Sequence, residues 1–270
     1  MTAKAPIAVE TRDGIGWITL DRPGKRNAID RELLTAVFAA IERLEADEAT
    51  RVLIISGAGA CFSAGIDLTW LAGGDPELGE PGKDEGRRLR RVIRWIQSIL
   101  DRLEALEKPT IAMLHGFCGG LGLELALPCD FRVAAAGTRI GLPEVIFGII
   151  PDCGGTTRLT RIAGIARAKQ LIMTGEMISA EDAERFDIVH EVVAPEELRA
   201  RCEALARTLI DRPPAALGLA KKLIDIGYGL DRQTNQQLEG LVQSVLMGSP
   251  NLGHHVMQGL QRMQGDKPGG

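Results

Sequence analysis

Residues 108–130 read KPTIAMLHGFCGGLGLELALPCD, and this stretch decides the fold of the chain. Thr110–Leu114 is a short apolar run of the kind that forms a buried strand. A glycine-rich turn follows it, and then a helical segment that runs through Glu124 to Leu127. Repeated passage from strand through turn to helix builds layered α/β proteins, so we predict an α/β fold.

The regions before this stretch show the same alternation of strands and helices. Residues 9–20 alternate apolar and polar side chains around Asp13-Gly14, which is a strong hairpin signal. Residues 52–56 are apolar enough for a buried strand. Between them, Asp30 is a suitable N-cap for a helix. That helix carries apolar side chains at helical spacing, namely Leu33, Leu34, Val37, Phe38, Ile41 and Leu44.

Strand signals end near residue 194, which predicts two domains. Residues 1–194 form the α/β core with the functional site, and residues 195–270 read as a helical C-terminal subdomain. Within the core, residues 73–86 (GGDPELGEPGKDEG) combine glycine, proline and acidic residues in the way typical of a loop. We predict that this loop is a lid over the site.

The composition favours a small-molecule partner over a polymer or a membrane. The 270 residues carry a net charge of −4, which gives no general electrostatic reason to bind nucleic acid or an anionic membrane. The five cysteines are scattered without a C-x-x-C pair, so we expect reduced thiols and no metal site. No stretch has the length and apolarity of a signal segment or a membrane span, which predicts a cytoplasmic protein.

Two glycine-rich turns are candidate sites for binding an oxygen atom. Residues 57–68 (GAGACFSAGIDL) follow a predicted strand, and a helix beginning near Asp67 would leave the N–H of Ile66 unpaired. The turn in residues 115–124 would do the same for the N–H of Leu121. Each turn alone is compatible with a purely structural role. Together, they could bring two backbone donors to one carbonyl oxygen.

Three acidic residues stand in apolar surroundings and are candidate catalytic groups. Glu124 lies on a helix of otherwise apolar residues, where an ionised carboxylate is costly unless it is paired or functional. An exposed or capping glutamate is the alternative interpretation at this position. Glu144 and Asp152 are the two acids of residues 141–152 (GLPEVIFGIIPD). Neither acid has the polar neighbours typical of a solvated face.

At these residues the sequence resembles the crotonase superfamily of enoyl-CoA hydratases and isomerases. The resemblance implies a ββα spiral core, a helical C-terminal trimerisation subdomain, and a homotrimer or a homohexamer built as a dimer of trimers. It also implies an acyl-CoA thioester substrate, with CoA as part of the substrate and no separate cofactor. The matching stretches are 21–29 (DRPGKRNAI), 62–68 (FSAGIDL), 108–130, 144–159 (EVIFGIIPDCGGTTRL) and 171–181 (LIMTGEMISAE).

The resemblance also assigns roles to individual residues. It implies that the N–H groups of Ile66 and Leu121 form an oxyanion hole for the thioester oxygen. The hydratases commonly have three consecutive glycines where this chain has Gly120-Leu121-Gly122, and leucine restricts the backbone there. The residues implied to line the substrate are Arg26, Ala28, Ala64, Gly65, Asp67, Leu68 and Gly120.

Three functions fit these residues, and we rank the hydratase first because its pair of glutamates is complete. Glu124 and Glu144 match the glutamate pair of the hydratases, which favours addition of water to a 2-enoyl thioester. Asp152 stands where dienoyl-CoA isomerases carry a catalytic aspartate, so an isomerase that uses Glu144 and Asp152 is the alternative. A non-catalytic acyl-CoA-binding or RNA-binding relative ranks last, because both acids and both turns are present.

Overall fold

The computed structural model describes residues 5–74 and 85–265. The chain opens with an antiparallel hairpin of β1 (Ile7–Arg12) and β2 (Ile15–Leu20), joined through Asp13 and Gly14 at positive φ. Helix α1 (Arg31–Ala46) follows, and the Asp30 side chain caps it by accepting from the Leu33 N–H at 3.0 Å. The predicted hairpin and the predicted cap are therefore both confirmed.

The main sheet has six strands in the order β1-β2-β3-β4-β6-β9. Every pairing after the initial hairpin is parallel. The helices between parallel strands cover the faces of such a sheet, which explains why β3 is buried along nearly its whole length. The strands after the hairpin are β3 (Val52–Gly57), β4 (Thr110–Leu114), β6 (Phe131–Ala135) and β9 (Glu191–Val193).

A second, three-stranded sheet was not predicted. It consists of β5 (Phe117–Gly119), β7 (Arg139–Gly141) and β8 (Met177–Ser179), with β7 in the centre. Each strand has only three residues, so none shows a detectable alternation in the sequence. The sheet matters for the site because α3 (Leu121–Ala126) begins directly after β5.

Four further helices complete the first part of the chain. A buried arginine, Arg158 on α4, pairs with Asp101 at 2.6 Å and with Glu104 at 2.7 Å, and so ties α4 to α2. Among the described residues, no helix is long and apolar enough to cross a membrane, and the cytoplasmic location stays a prediction. The helices are α2 (Glu85–Glu104), α4 (Gly155–Thr174), α5 (Ala180–Arg185) and α6 (Leu198–Ile210).

The contacts divide the chain into two units, Met1–Leu209 and Ile210–Gly270. The second unit contains α7 (Pro214–Gly227), α8 (Arg232–Met247) and α9 (Leu252–Gly265). The sequence places the boundary between residues 194 and 195, whereas the contacts place α6 in the first unit. Four side chains of α6 are buried, namely Leu198, Cys202, Ala206 and Leu209. The predicted lid falls largely on residues 75–84, outside the described residues.

Candidate active site

The first glycine-rich turn carries Ile66 and leads from β3 to the helical turn Trp70–Gly74. A parallel bridge pairs Ile66 with Ile29, because the Ile29 N–H donates to Gly65 O and the Asp67 N–H donates to Ile29 O, both at 2.8 Å. In such a bridge the N–H of Ile66 itself points away from Ile29. It donates to no acceptor among the described residues, so it is available to a ligand.

The second turn places Leu121 at the start of α3. Gly120 is the N-cap, with φ 54° and ψ −132°, a conformation that residues with a Cβ rarely adopt. Leu121 is the first helical residue, so the leucine found where the hydratases have glycine carries no backbone strain. As expected for a first helical residue, its N–H has no acceptor in the described part of the chain.

The two turns approach each other closely. Gly65 has φ 96°, and a Cβ built on it would lie 2.8 Å from Gly119 O and 3.5 Å from the Leu121 nitrogen. A Cβ built on Gly120 would lie 4.0 Å from the Gly65 Cα. Glycine is therefore required where the two segments meet. The free amides of Ile66 and Leu121 stand on adjoining turns, the arrangement that a two-donor oxyanion hole needs.

Glu124 lies deep in the first unit and is only 2% exposed, which excludes the interpretation as a surface glutamate. Its Oε1 accepts hydrogen bonds from the Cys153 N–H and the Gly155 N–H, both at 2.8 Å. Burial raises the pKa of Glu124 to about 8, and the charge of Glu144 acts in the same direction. The two amide donors favour the ionised form but do not outweigh burial.

Glu144 differs from Glu124 in lacking partners. It opens the short 3-10 segment Glu144–Phe147 and is 9% exposed, and its carboxylate lies against the second turn, since a Cβ on Gly120 would be 3.2 Å from Oε1. Neither carboxylate oxygen has a hydrogen-bond partner among the described residues. Burial raises its pKa to about 7. A buried carboxyl group without a donor is costly unless a ligand completes it.

Asp152 reaches the same site from the turn before α4. Its carboxylate, that of Glu124 and the Cys153 Sγ lie within 4.8 Å of one another. These are metal-ligand types, but they do not fit a metal centre. The Cys153 thiol donates to Asp152 Oδ1 at 3.3 Å, and burial raises its pKa, which opposes the thiolate form that ligation requires. Glu124, Asp152 and Cys153 are better described as a cluster of protonatable side chains in the candidate site.

The residues implied to line CoA lie around the first turn. The Arg26 guanidinium stacks over the Phe117 ring at 5.0 Å, and Leu68 is 56% exposed. Ala28 and Ala64 are partly buried.

Asp67 differs from these neighbours because its side chain has internal partners. It accepts from the Thr69 hydroxyl at 2.6 Å and from the Lys25 ammonium at 3.1 Å. The Thr69 bond is the main reason that the pKa of Asp67 falls to about 2. The Asp67 carboxylate therefore has partners close to the turn, whereas the side chain of the next residue, Leu68, is exposed.

Asn27 is a residue that the sequence analysis missed. It is fully buried at φ 52°, in the left-handed region that asparagine tolerates better than most residues. Ser63 extends its network by donating to Asn27 O at 2.8 Å and accepting from the Gly65 N–H at 3.1 Å. The sequence did offer a signal for Asn27, because this residue directly precedes Ala28 in a stretch that is expected to bind a ligand. Its side-chain NH₂ donates to three carbonyl oxygens, those of Ala58, Cys61 and Phe62.

Fold and site together define a crotonase-type α/β protein, which confirms the predicted fold class. The solved enoyl-CoA hydratase from Bacillus anthracis superposes with a TM-score of 0.86 at 32% identity, covering 97% of each chain. The chain belongs to the enoyl-CoA hydratase/isomerase family, whose model matches residues 10–262.

Named relatives include both kinds of enzyme. The short-chain-enoyl-CoA hydratase of Clostridium acetobutylicum is 36% identical over 229 residues, or 84% of each chain. The enoyl-CoA isomerase/hydratase fer4 of Mycosarcoma maydis is 37% identical over 266 residues, or 92% of each chain. Family membership therefore leaves the reaction open between hydration and isomerisation, and the site geometry must be used to choose.

Proposed function

We propose that the protein is an enoyl-CoA hydratase that adds water to a 2-trans-enoyl-CoA and forms a 3-hydroxyacyl-CoA. The observation that carries this proposal is the pair of buried carboxyl groups, Glu124 and Glu144, beside two free amides on adjoining turns. Hydration needs one group that accepts a proton from water and one that delivers a proton to carbon. The raised pKa values let the pair retain a proton near neutral pH.

The amides of Ile66 and Leu121 bind the thioester oxygen in this proposal. When water attacks C3, electrons of the double bond move toward the thioester and negative charge develops on its oxygen. Two fixed N–H donors stabilise that charge more than they stabilise the neutral thioester. A single donor of this kind is worth about 10²-fold or more in turnover.

The contact between Glu144 and Gly120 is the basis on which we assign the two proton transfers. Glu144 lies against Gly120, next to the Leu121 donor, and is therefore closest to C2, the carbon beside the thioester. It donates the proton that forms the new C2–H bond. Glu124 accepts the proton that water loses as its oxygen bonds to C3. The product carries both elements of water, and the pair returns to its starting state by exchanging one proton.

The CoA part of the substrate follows the first turn. We propose that it lies along Arg26, Ala28, Ala64 and Leu68, with Gly65 and Gly120 allowing the close approach of the thioester. CoA enters and leaves as part of the substrate and product, so the reaction uses no separate cofactor. Acid–base chemistry at Glu124 and Glu144 likewise accounts for every proton without a metal ion.

A specific observation keeps isomerisation as the second candidate. The Asp152 carboxylate lies within 4.8 Å of that of Glu124, so a third carboxyl group that could act as a base stands in the site. Glu144 and Asp152 could then exchange protons at two separated carbons of a 3-enoyl or 3,5-dienoyl thioester. A non-catalytic role ranks below both, because a binding protein has no need of buried carboxyl groups with raised pKa values.

The deciding experiment supplies 2-enoyl-, 3-enoyl- and 3,5-dienoyl-CoA thioesters to the purified protein. Hydrated products gain the mass of one water, and isomers of equal mass are separated by chromatography. We expect the 2-enoyl thioester to be hydrated fastest, with the Glu144→Gln variant as the inactive control and the exposed Glu181→Gln variant as the active one. Double-bond migration without water uptake would contradict the proposed hydration and would show that the protein is an isomerase.

We also propose that the protein assembles as a homotrimer or homohexamer through α7–α9. Helix α8 has no buried residue, which is unusual for a helix with apolar side chains at helical spacing. Light scattering should give the mass of three or six chains, and Leu241→Asp with Val245→Asp should lower it. A monomeric wild type would contradict this. The exposed apolar side chains of this unit include Ile224, Tyr228, Leu241, Val245, Val256, Met257 and Met263.

A further inference from the structure

One peptide group connects helix α2 to Glu124. The N–H of the Asp152–Cys153 peptide donates to Glu124 Oε1 at 2.8 Å. The carbonyl at the other side of the same peptide, Asp152 O, accepts from the side-chain amide of Gln97 at 2.6 Å. Since a carbonyl oxygen can only accept, the NH₂ of Gln97 must face it. Gln97 therefore bonds one side of the peptide group whose other side bonds Glu124.

The remaining peptides of this turn are held by Arg158. Its Nη1 donates to Cys153 O at 3.3 Å, and its own backbone N–H donates to Gly154 O at 2.7 Å. Arg158 is in turn fixed by Asp101 and Glu104. These bonds hold the turn as a whole to α2 and α4. Within residues 5–74 and 85–265, Gln97 is the only group that donates to Asp152 O, the carbonyl of the peptide that donates through Cys153. Its effect can therefore be separated from that of the Arg158 bonds.

We propose that Gln97 is a positioning residue, whose side-chain amide orients and polarises the Asp152–Cys153 peptide so that its N–H holds the Glu124 carboxylate. The inference deepens the proposed function, on which it rests for the role of Glu124. A hydrogen bond accepted by a peptide carbonyl makes the N–H of the same peptide a stronger donor. A stronger donor favours the ionised carboxylate, the form that accepts a proton from water.

Removing the Gln97 donor should therefore act on the proton affinity of Glu124. The titratable groups that face Glu124 are Glu144, Asp152 and the Cys153 thiol, and a substitution of Gln97 changes none of these side chains. Gln97→Met keeps the length of the side chain and loses its donor. Gln97→Asn keeps an amide on a side chain that is one methylene shorter, and serves if the methionine variant does not fold.

The test measures the titration of the Glu124 carboxyl by ¹³C NMR and the kinetics of hydration. In Gln97→Met we expect the pKa of Glu124 to rise by about half a unit or more. We expect kcat to fall about tenfold while KM stays within about twofold, because Gln97 acts on the catalytic step and not on CoA binding. Ser98→Ala is the matched control, since it removes a hydrogen bond from the exposed side of the same helix.

The carboxyl titration needs no turnover, so it separates this inference from the proposed function. A raised Glu124 pKa in a chain that hydrates no enoyl-CoA would retain the positioning role and contradict the reaction. An unchanged Glu124 pKa in folded Gln97→Met and Gln97→Asn would overturn the positioning role. So would an equal loss of activity in Ser98→Ala, because it would show that α2 is merely sensitive to substitution.

Discussion

Glu124 and Glu144 are two buried carboxyl groups in one candidate site, but the hydrogen bonds that they accept differ. Glu124 accepts two backbone N–H bonds, from residues that are themselves fixed by Gln97 and Arg158. The two carboxylate oxygens of Glu144 are buried and have no hydrogen-bond partner among the described residues. Hydrogen bonds thus fix the position of one carboxyl group, whereas the other has none from the described part of the chain.

The difference lies in how each position balances burial against hydrogen bonding. Donors that point at a carboxylate favour its ionised form, whereas an apolar pocket without donors favours the neutral form. Burial is the largest influence at both positions, and at Glu124 it outweighs the two donors, so the pKa rises to about 8 there and to about 7 at Glu144. The predictions below test this division of roles, beginning with the largest expected effect.

Glu144→Gln should lower turnover by about 10²-fold or more, the usual consequence of removing a positioned acid or base. Affinity for a CoA ester should change little, because the substitution removes a proton donor and not a binding surface. Steady-state kinetics and a separate titration with a non-reacting acyl-CoA measure the two effects. Turnover near that of the wild type, in a folded variant, would remove Glu144 from the mechanism.

Gly120→Val should lower turnover by about 10²-fold, because it disturbs the Leu121 donor and displaces Glu144 together. A Cβ at this position would lie 3.2 Å from Glu144 Oε1, at a φ of 54°. Gly137→Val is the matched control, since Gly137 has φ 80° with nothing within 4 Å of an added Cβ. The fall in melting temperature of Gly137→Val measures the stability lost through backbone strain alone, and it is compared with the fall in Gly120→Val. Full activity of Gly120→Val would show that the Leu121 N–H is not a donor.

The sequence was sufficient for the elements that local patterns specify. Apolar spacing and the Asp30 cap predicted α1, and strand-like runs predicted β3 and β4. The glutamates of the site were found because a charged residue in an apolar run is conspicuous. In these cases the cause of the structure lies within a few neighbouring residues.

The rest depends on contacts between distant residues. The second sheet joins strands of three residues from three parts of the chain, and Gln97 meets Asp152 across 55 positions. No local pattern indicates such partners. The same reason explains why Leu121 looked unfavourable in the sequence, since only the structure shows that Gly120 takes the positive φ.

Asp152→Gly tests whether a third carboxyl group enters the reaction. If hydration uses only Glu124 and Glu144, the variant should hydrate a short 2-enoyl-CoA within about tenfold of the wild type, or about 1.4 kcal/mol in the barrier. If the protein is an isomerase, the same change should abolish double-bond migration in a 3,5-dienoyl-CoA. Loss of hydration in folded Asp152→Gly would place Asp152 beside the glutamates in the mechanism.

The smallest expected effect concerns stability and pH. The folded-state pKa values of Glu124 and Glu144 exceed the ordinary value of 4.5, so the folded protein binds more protons than the unfolded chain. Their contribution to stability is therefore greatest below that value and is lost as the pH rises through about 7 and about 8. Glu124→Gln with Glu144→Gln should flatten the fall of the melting temperature over this range. An unchanged slope would contradict the raised pKa values.

Gly120 takes the unusual φ while Leu121 carries the candidate donor amide, and this division has a consequence for which substitutions each position tolerates. Because the backbone amide of Leu121 is the candidate donor and Gly120 takes the unusual φ, the side chain at 121 contributes no atom to the oxygen-binding group. Position 121 is buried, so it should accept other apolar side chains of similar size, whereas position 120 should accept none. A library with all amino acids at both positions, selected for activity, should then retain only glycine at position 120. At position 121 it should retain several apolar residues of similar volume.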